Sequence, residues 1–263
     1  MGLSKPYRRT TRQLADGSYG DNGNSRYLIH PGFATDPVHY IRAFEVIQAD
    51  FRKLLEYIEP ADQNLNTYSF RTHELLMRSC VEVEANFKAI FIDNMLTKVS
   101  PEHLTMRHYR AINKTHRLDA FKVKLPAWTG EAGVRQPFSA WSDSAASLPW
   151  YQAYNQSKHD RYNAFKHATF EHLLDAISAL VVILSAQFHQ EEYSPSLKTR
   201  GIDESYSYGA SDGFVTAIGN YFRVLFPTDW LPSERYDFDW QKLELETEPF
   251  DRIDYDLLMK SNR

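Results

Sequence analysis

An apolar seam in the second half of this chain restricts its fold more than any other feature. Phe170, Leu174, Ile177, Val181, Leu184 and Phe188 recur at alternating steps of four and three residues. That spacing keeps one stripe of a helix turned toward a neighbour. Traced backwards, the stripe reaches His167, Asn163, Asp160 and Gln156. A single helix from Asn155 to Tyr193 would therefore carry polar groups at positions meant for burial. Asn155, His159, Asn163 and His167 lie four apart, one above another on such a helix, with Lys158, Arg161 and Lys166 beside them. A polar seam in a core helix is costly unless its groups are paired or used, so this stretch is the candidate functional segment.

The rest of the chain reads as helices separated by strong punctuation. Residues 1–36 are polar and rich in Gly, Asn and Ser, an arm that becomes ordered only by docking. Asp36-Pro37 reads as an N-cap followed by proline at the first helical position. The helix it opens buries Ile41, Phe44, Ile47, Phe51, Leu54 and Ile58 and stops at Pro60. A second helix is expected from about Tyr68 to Lys98, with Leu76, Cys80, Val83, Phe87, Ile90 and Phe91 inward and a ladder of Arg78, Glu82 and Asn86 alongside. Ser100-Pro101 opens a third, more polar helix over about 102–119. From Pro126 to Trp150, prolines and glycines break the pattern, and Trp128, Phe138, Trp141 and Trp150 pin the loop. A short helix is expected over 211–226, and Phe121–Leu125 and Asp237–Leu245 alternate weakly enough for short strands. The fold class is thus all-α: an antiparallel bundle over 37–193, with a long aromatic loop and an irregular extension over 194–263 packed on it.

Composition excludes more than it selects. At 263 residues and a net charge of −4, the chain has ample apolar residue for a core and no strong bias toward any partner. The longest apolar run, Ala179–Leu184, is too short to span a bilayer, and the basic N-terminus is not followed by an apolar region, so neither a membrane nor a leader is expected. Cytoplasmic location is the default. The single cysteine, Cys80, excludes an internal disulfide and lies on a core stripe. His159, His167 and Glu82 or Glu84 would suit a transition metal, but no H-E-x-x-H pattern supports one, so neither a metal nor another cofactor is expected. Arg107, Arg110, Lys114, Arg117, Lys122 and Lys124 form a basic segment; it suits a phosphate backbone or pairing with the acidic tail. Between Asp229 and Asp256 that tail holds ten acidic side chains against three basic ones.

Arg161 and His167, separated by five residues, with Asn155-Gln156-Ser157-Lys158-His159 just before them, resemble the signature of the HEPN superfamily. These helical bundles carry Arg, four to six residues, then His on a late helix, and several have an Asn-x-x-Lys-His element. The resemblance covers roughly residues 40–190. One departure is Tyr162, at a position where many active members carry a small polar residue. The resemblance implies metal-independent RNA cleavage, often with arginine–histidine sites paired across a homodimer, in a bacterial or phage-related defence system. His167 would be the acid/base, with His159 a second candidate, and Arg161 would stabilise the phosphate. Asn155, Lys158 and Asn163 would position RNA or a nucleotide, with Arg78, Glu82 and Asn86 contributing from the second helix. Six residues along a helix turn a side chain by about 120°, so Arg161 would reach around or act in a partner's site. Against this stands a plainer reading: His167 and Asn163 pair in the core, the cations form a solvated face, and the aromatic, acidic tail engages a protein partner without catalysis.

Overall fold

The computed structural model describes residues 2–20, 25–94, 99–142, 146–193 and 212–260. At its centre lies α6 (Phe170–Phe188), with sixteen of its nineteen residues buried. Helices α1 (Pro37–Leu54), α2 (Phe70–Asn94) and α4 (Pro149–His159) pack around one side of it. A four-stranded antiparallel sheet of β1 (Lys122–Lys124), β2 (Val134–Arg135), β3 (Val215–Thr216) and β4 (Arg223–Leu225), in the order β2-β1-β4-β3, also packs on it. Val123 pairs with Val224 in the sheet and both are fully buried. Contact with both the helices and the sheet explains why α6 is apolar all round rather than along one stripe. It is long and apolar enough to cross a membrane by composition, yet 83% of its apolar window is buried inside the protein.

The architecture is therefore largely helical but not all-α. Over 212–226 the expected helix is replaced by the β3–β4 hairpin, and residue 211 lies outside the described residues. Gly213, Gly219 and Asn220 take positive φ, which breaks a helix and builds tight turns. The expected strand at 121–125 forms as β1, whereas 237–245 instead holds one helical turn, α7 (Trp240–Leu243), opened by the Asp239 side chain accepting from the Gln241 amide. The expected 102–119 helix divides into a 3-10 turn at Pro101–His103 and α3 (Met106–His116), started by a reciprocal Thr105–His108 capping box. Pro37 does occupy the first turn of α1, but Asp36 is left-handed and its side chain caps nothing. On α2 the stripe Leu76, Cys80, Val83, Phe87, Ile90 and Phe91 is fully buried, as the spacing predicts.

The expected helix from Asn155 to Tyr193 is three pieces. After α4 the chain leaves helical geometry at Asp160, makes a single turn, α5 (Arg161–Ala164), then a 3-10 turn at Phe165–His167, and re-enters a helix only at Phe170. The polar positions consequently leave the buried stripe altogether: Gln156, Asp160, Asn163 and His167 are exposed. The anticipated cost of burying them does not arise.

The N-terminal arm is threaded into the interior. Arg9 is fully buried, ion-paired with Asp93, bonded to the Thr35 carbonyl, and 3.0 Å from the Gln187 amide oxygen. Its guanidinium also lies 4.7 Å from the Tyr40 ring centre. Gln187 in turn donates to Asn86 (2.9 Å), joining α6 to α2. The Thr11 amide donates to the Ala186 carbonyl and its hydroxyl to the Gln187 carbonyl, so the arm satisfies acceptors at the end of α6. The acidic tail closes over the arm and over α3 through Lys5–Glu246, Arg8–Glu248 and Arg117–Asp229 pairs.

Substituting Arg9 by methionine leaves Asp93 buried and unpaired, so unfolding free energy measured by urea denaturation is expected to fall by about 3–5 kcal/mol. Acid sensitivity follows from His116 and His189, each held neutral by burial with a pKa lowered to about 4. Unfolded, each returns to about 6.5. Between those pH values the unfolded chain binds more protons, so stability falls as pH drops from 6.5 toward 4, by up to ~1.4 kcal/mol per unit for each ring. Denaturation midpoints across that range check the sign, and His116→Gln lowers the slope by about half.

Candidate functional site

Helix α4 is held from inside. Leu148 precedes Pro149 at its first position, and Trp150, Ala153, Tyr154 and Ser157 face inward. The Trp150 indole donates to the Pro137 carbonyl at 2.9 Å, which ties the aromatic loop to the helix. The Tyr151 hydroxyl donates to Glu84 of α2 at 2.7 Å. Burial first, then Glu84 (through its hydrogen bond at Tyr151 and its charge at Tyr154), push both phenols well above their ordinary range, so both remain proton donors. Lys158 lies over the Tyr154 ring, 5.3 Å from its centre, with its ammonium 3.4 Å from the Tyr154 hydroxyl.

The chain then turns on Asp160. Its carboxylate accepts from the Asn163 amide at 3.3 Å and from the Asn163 side chain at 2.8 Å, which starts the new turn in a different direction. The far end is clamped. Phe170 and Glu171 amides donate to the Thr67 and Leu65 carbonyls at 2.7 and 2.9 Å, and Thr169 forms an antiparallel bridge with Tyr68. Thr169 caps α6 through the His172 amide, and the His172 Nδ1 donates to the His167 carbonyl at 2.7 Å. Residues 160–169 are thus a short excursion, fixed at both ends, that carries its polar side chains outward.

The excursion brings some of the sequence-derived residues together. Asn155, Gln156, His159, Asp160, Asn163, Ala164 and His167 line one open depression of about 590 Å³. Two imidazoles and two carboxamides from the residues singled out by sequence therefore share a wall. Lys158 and Arg161 do not line it. Arg161 lies on the side of His73 of α2, whose pKa is lowered by burial and then by the Arg161 charge. No hydrogen bond joins Arg161 to His167 among the described residues. Lys158, Arg161 and Lys166 form no ion pair there either.

The α2 ladder is directed elsewhere. Arg78 pairs with Asp50 of α1 at 2.7 Å. Glu82 is half-buried near His39 and Arg78, and desolvation raises its pKa. Asn86 is fully buried, donating to the Glu82 carbonyl and accepting from Gln187. The acid that does face α4 is Glu84, two residues on from Glu82 and so turned to the opposite side of the helix. Among the described residues no group of three His, Cys, Asp or Glu side chains is placed to hold a metal ion. Sequence reasoning passed over Phe165, which packs on Tyr68, Phe70 and His73. The available signal was that Tyr68 and Phe70 lie off the apolar stripe of α2. Neither a protein-family model, nor a curated protein, nor a solved structure matches the chain.

Asp160→Ala removes the cap that redirects the chain and is expected to lower stability by about 1 kcal/mol. Hydrogen exchange of the Asn163 and Ala164 amides should quicken while amides of α6 keep their protection; uniform loss of protection would contradict a local role.

Proposed function

We propose that this chain is a HEPN-like RNA-binding protein whose contact surface is the α4–α5 turn. One observation carries this reading. On a chain of net charge −4, the exposed turn presents Lys158, His159, Arg161, Lys166 and His167 with no carboxylate ion pair among the described residues. Elsewhere Arg9, Arg78, Arg117, Arg135 and Arg223 are each matched to an acid while, among the described residues, Arg42, Arg52, Arg107 and Lys122 are not; the turn differs in gathering three such cations within nine residues. Unmatched Lys158, Arg161 and Lys166 on the turn, next to a depression lined by carboxamides, imidazoles and the Asn163-bonded Asp160 carboxylate, suit a phosphate–ribose backbone, to which lysine and arginine supply charge and Asn155 and Asn163 supply hydrogen bonds. The alternative of a protein-docking tail is disfavoured, because Asp229, Glu246 and Glu248 pair with the chain's own Arg117, Lys5 and Arg8.

The depression also has the groups for metal-independent cleavage. One imidazole removes the proton from a ribose 2′-hydroxyl as its oxygen attacks the adjacent phosphorus. The other protonates the departing 5′-oxygen, leaving a 2′,3′-cyclic phosphate and a free 5′-hydroxyl. Arg161 of the same chain lies outside the depression, so in this reading a second copy supplies the guanidinium that stabilises the phosphorane. Cleavage then depends on dimerisation, whereas binding does not. Placement in a defence system rests on the sequence resemblance alone.

The test is fluorescence anisotropy with a short unstructured RNA. Replacing Lys158, Arg161 and Lys166 together by alanine should weaken binding and reduce the slope of log affinity against log salt by about 2, at roughly 0.7 per cation for single strands. An unchanged slope would place the contact elsewhere. In EDTA, cleavage should rise steeply with protein concentration and vanish in His167→Ala, while binding persists.

A further inference from the structure

Beside the cationic turn lies a group of aromatic rings that the packing of the fold does not explain. Phe70 is 71% exposed and Tyr68 is 51% exposed. Tyr68 and Phe70 lean on the same half-buried ring, Phe165, at centroid distances of 5.8 and 4.7 Å. His73 completes the seat at 5.6 Å from Phe165. Single exposed apolar residues are ordinary on a protein surface; two rings sharing one seat are less so.

The seat is also rigid. The bridge between Tyr68 and Thr169 and the Phe170 amide bond to Thr67 tie the backbone entering α2 to the start of α6. With the backbone clamped and one side of each ring against Phe165, less freedom is lost when a ligand stacks on them. Arg161 is near enough to act on His73 of the seat, Lys166 follows Phe165 in the chain, and Arg71 beside Phe70 is paired with Glu74. Flat apolar faces rimmed by unmatched cations fit a polyanion that carries aromatic rings along its length, which describes unpaired nucleic acid.

We infer that Tyr68 and Phe70, seated on Phe165 beside the α4–α5 turn, form a stacking platform for unpaired RNA bases. The platform makes the surface selective for single strands, because bases in a duplex have no free face to offer. It contributes affinity with little sequence preference, since every base presents a π-face. The inference rests on the RNA-binding reading above: the depression takes the backbone, and the platform takes bases a short distance along the strand.

The experiment compares three probes with the same number of phosphates on the full-length protein: a single-stranded RNA, a fully paired hairpin RNA, and a single strand with abasic sites. The single strand should bind most tightly. Phe70→Ala and Tyr68→Ala should each weaken it roughly five- to hundredfold without altering the salt slope or the circular dichroism. Phe70→Trp should restore binding and Phe70→Leu should not, which separates stacking from mere apolar contact. A 2-aminopurine base in the strand should be quenched by the wild-type protein and not by Phe70→Ala. If all three probes bind alike, and only the Lys158, Arg161 and Lys166 substitutions matter, the platform is overturned while RNA binding stands. If no probe binds, both fall. If Phe70→Ala leaves RNA affinity intact but abolishes self-association in sedimentation velocity, the rings belong to a contact between copies and the platform is likewise overturned.

Discussion

The interaction on which the fold depends is the buried ion pair of Arg9 with Asp93. A guanidinium taken fully out of water is tolerable only when its donors are met, and here a carboxylate, a backbone carbonyl and a side-chain amide meet them. The pair links the arm to α2, and Gln187 extends it to α6 and back to Asn86. Because Thr11 also bonds carbonyls at the end of α6, the arm completes the helix that the rest of the molecule surrounds. The acidic tail then lies over the arm, so both ends of the described chain close one side of the core.

That closure has a consequence for charge. Basic groups of the arm and of α3 are neutralised by the tail, as Arg8–Glu248 and Arg117–Asp229 illustrate. The α4–α5 turn, reached by no tail carboxylate among the described residues, keeps its cations available. The positive face is therefore defined as much by where the acidic tail goes as by where the lysines are. The basic segment over 107–124 is correspondingly divided: Arg117 and Lys124 pair with Asp229 and Asp212, and β1 takes its end into the sheet.

How far these features can be read from the amino-acid order depends on how local their causes are. The stripes of α1, α2 and α6 repeat at helical spacing and were legible, as was the short strand around Val123. The break at Asp160 was not. The segment from His159 to Thr169 contains no proline or glycine, and its four-residue polar spacing mimics a helix. What ends the helix is a local carboxylate cap combined with a distant clamp on Leu65 and Thr67, and the clamp is invisible to periodicity. Arg9 has the same problem, since its partner Asp93 lies 84 residues away. The hairpin over 215–225 was misread because Phe222 and Leu225 satisfy helical spacing, although Gly213 and Gly219 already argued for turns. At the site itself, His159, Asn163 and His167 line one depression, through an exposed turn rather than a buried seam. Glu82 was favoured over Glu84 although the two point to opposite sides of one helix.

The central claim is that residues 155–170 and the 65–73 segment clamped to them form one RNA-contacting face. Hydrogen–deuterium exchange of the full chain, with and without saturating single-stranded RNA, addresses it most directly. The account predicts added protection confined to those two segments, with the arm and the acidic tail unchanged. Protection centred on the tail or on α1, or no change anywhere at saturation, would contradict it.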